Sequence, residues 1–249
     1  MMQFFSDVYS VLWISLRDLR RRWRAIVATS LVQPLLYLVA FGYGMGRGVS
    51  FEGVDYLAFV IPGIIALTAF SVSFNGAASK LQVDRFFFKS FDELLMSPVS
   101  LYAIVLGKAL VGVIRGLISS TAILLVGIAL CRTLVVTPLF VLVLVTACCA
   151  FALFGVLVAF VVDTHHGMSN FSSMVILPMT FLCGTFFSLS DLPEIAKTAL
   201  YLLPLTHASQ SLRAAALDQT FPWLSLAALI IFGIIFYTAS IIVLKKKSV

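Results

Sequence analysis

"TLVVTPLFVLVLVTACCAFALFGVLVAFVV" fills residues 133–162 without one charged side chain. A helix needs about 20 predominantly apolar residues to cross a bilayer, so this run suffices by itself. The same reading extends outward along the chain. Uncharged runs also occupy residues 25–46, 56–79, 164–190 and 219–244. A shorter one, 116–131, becomes long enough when extended back through Arg115 toward Lys108. Of the 249 residues, 61% are hydrophobic and 11% charged, whereas soluble domains carry about a quarter charged residues. The chain therefore reads as an all-α polytopic membrane protein with six transmembrane helices, at 25–46, 56–79, 103–131, 137–162, 167–188 and 221–244.

The region before the first span carries Trp13, Trp23 and a cluster of arginines but no small-residue cleavage site, so it is expected to be retained. Within it Phe5, Val8, Leu12, Leu16, Leu19 and Trp23 recur three or four residues apart, along one helical face, with Arg17, Arg20, Arg21 and Arg24 around the others. This predicts an amphipathic helix over 4–24 lying in the headgroup layer; packing on the protein itself is the alternative. Those arginines, with Lys80, Arg85 and Lys89 after the second span and Lys245, Lys246 and Lys247 after the sixth, outnumber Arg47, Arg132, Lys197 and Arg213 on the other side. The bias puts both termini in the cytoplasm.

Several chemistries are disfavoured. The 11 acids are Asp7, Asp18, Glu52, Asp55, Asp84, Asp92, Glu93, Asp163, Asp191, Glu194 and Asp218, all outside the apolar runs or at their edges. An ion-coupled carrier would need acids within the membrane. "GYGMGRG" (residues 42–48) lacks the Gly-Lys-Ser/Thr ending of a phosphate-binding loop, so no nucleotide site and no catalytic residue is expected on this chain. His165 and His166 are adjacent and face different ways on a helix, so no metal site is expected. Cys131, Cys148, Cys149 and Cys183 read as small hydrophobic residues of the spans. Lys108 and Arg115 are the costly features of the third span. Lys108 can snorkel to the cytoplasmic face. Arg115 lies deeper, between Gly112 and Gly116, whose spacing permits close helix contact. Pairing within the protein and lining a substrate path are both open to it.

Between the second and third spans lies "KLQVDRFFFKSFDELLMSP" (residues 80–98). Phe87, Phe91, Leu94 and Leu95 recur at helical spacing among Lys89, Ser90, Asp92 and Glu93, and Pro98 ends the pattern. An amphipathic cytoplasmic helix is elaborate for a simple connection.

Together with "YLAFVIPGIIAL" (56–67), "SFDELLMSPVS" (90–100), "LGKALVGVIRG" (106–116) and "LSDLPEIAKTALYLLPLTHASQSLRAAAL" (189–217), this segment resembles the membrane subunits of type-2 ATP-binding-cassette (ABC) exporters. That family includes polysaccharide, nodulation-factor and antibiotic export permeases, and the resemblance covers nearly the whole chain. It implies a multi-pass protein of the plasma (bacterial inner) membrane that pairs with a second copy or a similar permease. Two cytoplasmic ABC ATPase subunits would bind ATP and Mg, with no cofactor on this chain and no nucleic-acid partner. It further implies that 80–98 is the coupling region, with Glu93 at the acidic position of the family's "E-L-L-x-x-P" pattern and Phe87, Phe91 and Leu94 on the same helix. Asp163 and His165 would occupy a second, smaller contact. Residues 190–217, with Leu192, Pro193, Pro204, His207 and Arg213, would form a re-entrant external helical hairpin that leaves His207 and Arg213 near the outer headgroups. A lipid, a lipid-linked glycan and a hydrophobic drug all fit as substrate. An ion-coupled carrier or channel, or a noncatalytic scaffold, is the alternative function.

Overall fold

The computed structural model describes residues 2–45, 50–51, 54–131, 134–187 and 193–247. Leu192 lies outside the described residues, as do the predicted termini of the first and fifth spans at 46 and 188. Helix α1 (Met2–Tyr37) passes into a π-helical stretch, Leu38–Met45. A short antiparallel ribbon, β1 (Ser50–Phe51) with β2 (Val54–Asp55), follows in the register Ser50 to Asp55 and Phe51 to Val54. Then come α2 (Tyr56–Phe86), α3 (Ser90–Met96), α4 (Leu101–Leu130) and α5 (Pro138–Val161). The chain closes with α6 (His165–Phe171), a π-helical turn at Ser172–Ile176, α7 (Leu177–Leu182), α8 (Glu194–Tyr201), α9 (Pro204–Ala216) and α10 (Trp223–Lys247).

Helix starts follow the local sequence. Ser100 caps α4 by accepting from the Ala103 amide at 3.3 Å, Thr137 caps α5 through Phe140 at 3.1 Å, and Thr164 caps α6 through Gly167 at 2.9 Å. A hydroxyl at this position satisfies an amide that the helix cannot, which matters most where water is scarce. Pro138 and Pro204 open α5 and α9 at first-turn positions where a missing N–H is harmless.

Helix α2 is the hub. It packs against α4, α5 and α9, with Phe59, Ile61, Ile64, Ile65, Phe70 and Phe74 almost wholly buried. The close approach of α4 depends on glycine: a Cβ at Gly112 would fall 2.5 Å from the Ser73 carbonyl oxygen, and one at Gly116 would collide with the Ser73 hydroxyl. Helices α1 and α10 lie outside this core and expose Val32, Leu36, Ile231 and Ile234.

Among the described residues, five helices are long and apolar enough to cross a membrane: α2, α4, α5, α10 and the Trp23–Phe41 segment. The stretch predicted as a span at 167–188 is helical without a break from His165 to Leu182, through a π turn at Ser172–Ile176, and continues as irregular backbone at 183–187 with Gly184 at φ 69°. Pro178 has no N–H to give to the helical ladder, and the π turn ahead of it absorbs an extra residue. Two further boundaries differ. No break separates the predicted interfacial segment from the first span, because nothing in residues 4–33 is glycine or proline. The face of this helix that packs on the protein carries Val11, Ser15 and Leu19, while Phe5 and Trp23 of the predicted stripe are exposed. Helix α2 runs past residue 79 to Phe86, because Lys80 and Asp84 bridge adjacent turns at 3.5 Å and Asp84 finds a second cation across the bundle.

Candidate coupling surface and intramembrane cavity

At the end of the bundle that carries Lys245, Lys246 and Lys247, here the basic end, α2 finishes in "DRFFFKS". Lys89 turns the chain with φ 51°, so Phe87 falls in the turn and not on the helix that begins at Ser90. The predicted Phe/Leu stripe is therefore split. Phe87 and Phe88 are each 70% exposed, whereas Phe91 is 4% exposed and packs 5.6 Å, ring to ring, from Phe160 of α5. Phe91 anchors α3 to the bundle and is not available to a partner. Leu94 is half-buried against the same core, and Glu93 is exposed on the outer side.

The second predicted contact lies alongside. Phe87 meets His165 edge-on with centroids 6.4 Å apart. Asp163 accepts from Arg85 of α2 at 3.2 Å and from Lys247 at the end of α10. Lys247 first, then Arg85, holds the Asp163 carboxyl below its usual range. Arg85 also donates to the Ala159 carbonyl and lies over the rings of Phe86 and Phe160. One small cluster thus joins α2, the α5–α6 turn and α10.

Lys108 does not snorkel. It is 8% exposed, and its Nζ lies 2.5 Å from Asp84 Oδ2, itself in a residue 5% exposed. An ammonium that far inside finds a carboxylate at lower cost than it finds water. The pair fixes α2 to α4 at the basic end.

Arg115 sits near the middle of α4. On insertion scales an arginine at that depth costs about 2.5–3.5 kcal/mol, so its surroundings matter. Its side chain crosses α2 at Gly76, where a Cβ would be 3.0 Å from Arg115 Cδ. Beyond it opens a cavity of about 310 Å³ between α1, α2 and α4, into which Thr29, Gln33, Ser71, Asn75 and Ser79 also face. A hydrogen bond of 2.7 Å between Ser30 and Ser119 ties α1 to α4 at its edge. Gly112 and Gly116 face Ser73 and set the helix spacing that lets Arg115 reach the cavity.

At the opposite end, Pro193 precedes α8 and Pro204 opens α9. His207 and Arg213, expected near headgroups, are buried. Arg213 Nε donates to the Phe59 carbonyl at 3.2 Å, Nη2 donates to Gly184 at 2.8 Å, and the guanidinium lies 3.7 Å over the Phe59 ring. Together with Ser209, which donates to Cys183 at 3.0 Å, it supplies donors to irregular backbone that has no helical partner. His207 Nε2 lies 2.8 Å from the Tyr201 carbonyl, and its ring is 6.2 Å from that of Phe232.

Sequence reasoning missed Arg85, Lys247, Asp84 and the polar stripe of α2. The stripe left a signal: Ser71, Asn75 and Ser79 recur every four residues, as do Thr29 and Gln33 in α1.

A family model described as ABC-2 type transporter matches residues 6–217. Nodulation protein J of Sinorhizobium fredii is 28% identical over 231 residues, covering 90% of this chain and 87% of that protein. Nodulation protein J of Bradyrhizobium diazoefficiens is 27% identical over 241 residues, with 90% and 89% covered. The inner membrane transport permease YadH of Escherichia coli K12 is 28% identical over 205 residues, with 78% and 80% covered.

Proposed function

The chain belongs to the ABC-2 type transporter family, and from that membership we propose that two copies, or this chain and a similar one, enclose an export pathway driven by two separate ATPases. Membership makes the chain the membrane subunit of an ABC transporter, an integral membrane protein that partners an ABC ATPase. ATP and Mg are held by that partner. The substrate is an amphiphile of the lipid, lipid-linked glycan or hydrophobic drug kind.

The observation that carries the coupling is the cluster at the basic end. Exposed Phe87 meets His165 at the start of α6, Phe88 and Glu93 are exposed on the same connecting segment, and Arg85, Asp163 and Lys247 tie that surface to α2 and α10. The Asp84–Lys108 pair extends the connection to α4. A push on α3 and α6 by closing ATPases would then move three spans together, because each joint is a charge-assisted hydrogen bond. In this reading the basic end is cytoplasmic, as the charge bias favours, and the amphipathic part of α1 rests at the headgroups.

The helical run from His165 to Leu182 supplies the sixth crossing; at 1.5 Å per residue it reaches about 27 Å. Helices α8 and α9 form the re-entrant hairpin. The depth of His207 beside Phe232, well inside α10 from its start at Trp223, supports that placement. The test is co-reconstitution with the copurifying ATPase: Phe87→Ala and Glu93→Ala should lower transport per ATP hydrolysed without unfolding the chain. Transport by the chain with no ATPase present would overturn the proposal.

A further inference from the structure

We propose that the cavity between α1, α2 and α4 is a binding site for an anionic, hydroxyl-bearing headgroup, a phosphate ester above all, with Arg115 as its charge partner. The proposal deepens the transport reading and rests on it in one respect: it selects the phosphate-bearing amphiphile among substrates and disfavours an uncharged drug.

Three observations carry it. Among the described lining residues the cavity holds one charge, that of Arg115, and no acid. A guanidinium is permanently charged and presents N–H donors in a planar fork that matches phosphate oxygens. The remaining polar lining comes from two helices at matched spacing: Thr29 and Gln33 on α1, and Ser71, Asn75 and Ser79 on α2. Hydroxyl and carboxamide groups donate and accept, so they fit the hydroxyls of a glycerol or sugar. Two of these groups lie at mid-helix, Ser71 at the centre of Tyr56–Phe86 and Arg115 at that of Leu101–Leu130, where a lipid-facing surface would be apolar. The exposed sides of Thr29, Gln33, Asn75 and Ser79 leave this wall open to a molecule arriving from the side. Its volume, about 310 Å³, is at the small end for a ligand pocket and suits a headgroup more than a whole lipid.

The test uses the full transporter, chain plus ATPase, in nanodiscs of phosphatidylcholine doped with phosphatidylglycerol or with an uncharged hexosyl diacylglycerol. Native mass spectrometry reads which lipid is retained, and ATP turnover is measured in parallel. Phosphatidylglycerol should be retained preferentially, R115Q should lower that retention about tenfold, and Asn75→Leu a few-fold, while R115K keeps part of it. A matched melting temperature for R115K and R115Q separates lost binding from lost folding. Competition by soluble glycerol 1-phosphate as strong as by lipid would identify a free phosphate ester as the ligand. Its failure to compete would identify a membrane headgroup. Equal retention of the uncharged lipid, or retention unchanged in R115Q, overturns the proposal. Arg115-dependent retention in a complex that hydrolyses no ATP would uphold the site while sinking the transport reading.

Discussion

Replacing Lys108 by Met should cost the protein less than replacing Asp84 by Asn, and replacing both should cost less than the sum. The pair is 2.5 Å apart in residues 8% and 5% exposed, so solvent screens it little. Removing one member of a buried pair costs about 3–5 kcal/mol, mostly because the other charge is stranded. The geometry makes the two cases unequal. In Lys108→Met, Asp84 keeps Lys80, whose side chain is 24% exposed and lies 3.5 Å away; the loss should fall at or below about 3 kcal/mol. In Asp84→Asn, Lys108 is left buried with a neutral amide and the loss should reach about 4–5 kcal/mol. The double variant Asp84→Asn/Lys108→Met removes both charges and should come within about 2 kcal/mol of the parent. Thermal and denaturant unfolding of the purified chain in one detergent gives the double-mutant cycle. Additive losses, or a Lys108→Met variant less stable than Asp84→Asn, would show that a stranded charge does not set the loss.

The remaining predictions separate structure from coupling. Phe91→Ala should destabilise by about 3 kcal/mol, as for a buried phenylalanine, while Phe87→Ala leaves unfolding unchanged and lowers transport per ATP; equal melting points for the two would contradict the split stripe. Arg213→Met should cost about 3 kcal/mol by stranding carbonyls of Phe59 and Gly184, with Arg213→Lys recovering part of it, read by thermal unfolding. Asp163→Asn should weaken coupling at neutral pH. Because the folded carboxyl titrates below its usual range, the contribution of Asp163 is complete above that range and lost only as pH falls through the lowered value. Parent and Asp163→Asn coupling measured from pH 5 to pH 8 should therefore differ by a constant factor; a difference that shrinks toward pH 5 would show that the carboxylate is not held as described.

The membrane class, the long helices and the helical character of residues 193–216 were legible because hydropathy runs and Ser/Thr/Pro start signals are local. Segment boundaries were less so. The end of α2 depends on Asp84 meeting Lys108, twenty-four residues away, and a single charge in the sequence does not announce its partner. The same limit hid the Arg85–Asp163–Lys247 cluster, whose members come from three segments. Phe91 and Phe87 share a helical period, but one residue in a left-handed turn, Lys89, sends them to opposite environments. His207 and Arg213 were expected near the outer headgroups as parts of a re-entrant hairpin; the burial of Arg213 follows from irregular backbone at 183–187 that needs donors. Arg115 was singled out as costly from its place in the third span, yet its cavity required seeing α1 and α2 side by side.

In the proposed coupling, Phe87 and Glu93 face an ABC ATPase. Photo-crosslinking amino acids placed singly at positions 87, 93, 91 and 231 in intact membranes test it most directly, with products identified by mass spectrometry. An ATPase carrying a Gly-x-x-x-x-Gly-Lys-Ser/Thr loop should be captured from 87 and 93, and not from buried 91 or from 231 on the exposed face of α10. Capture of no ATPase from 87 and 93, or equal capture from 231, would contradict it.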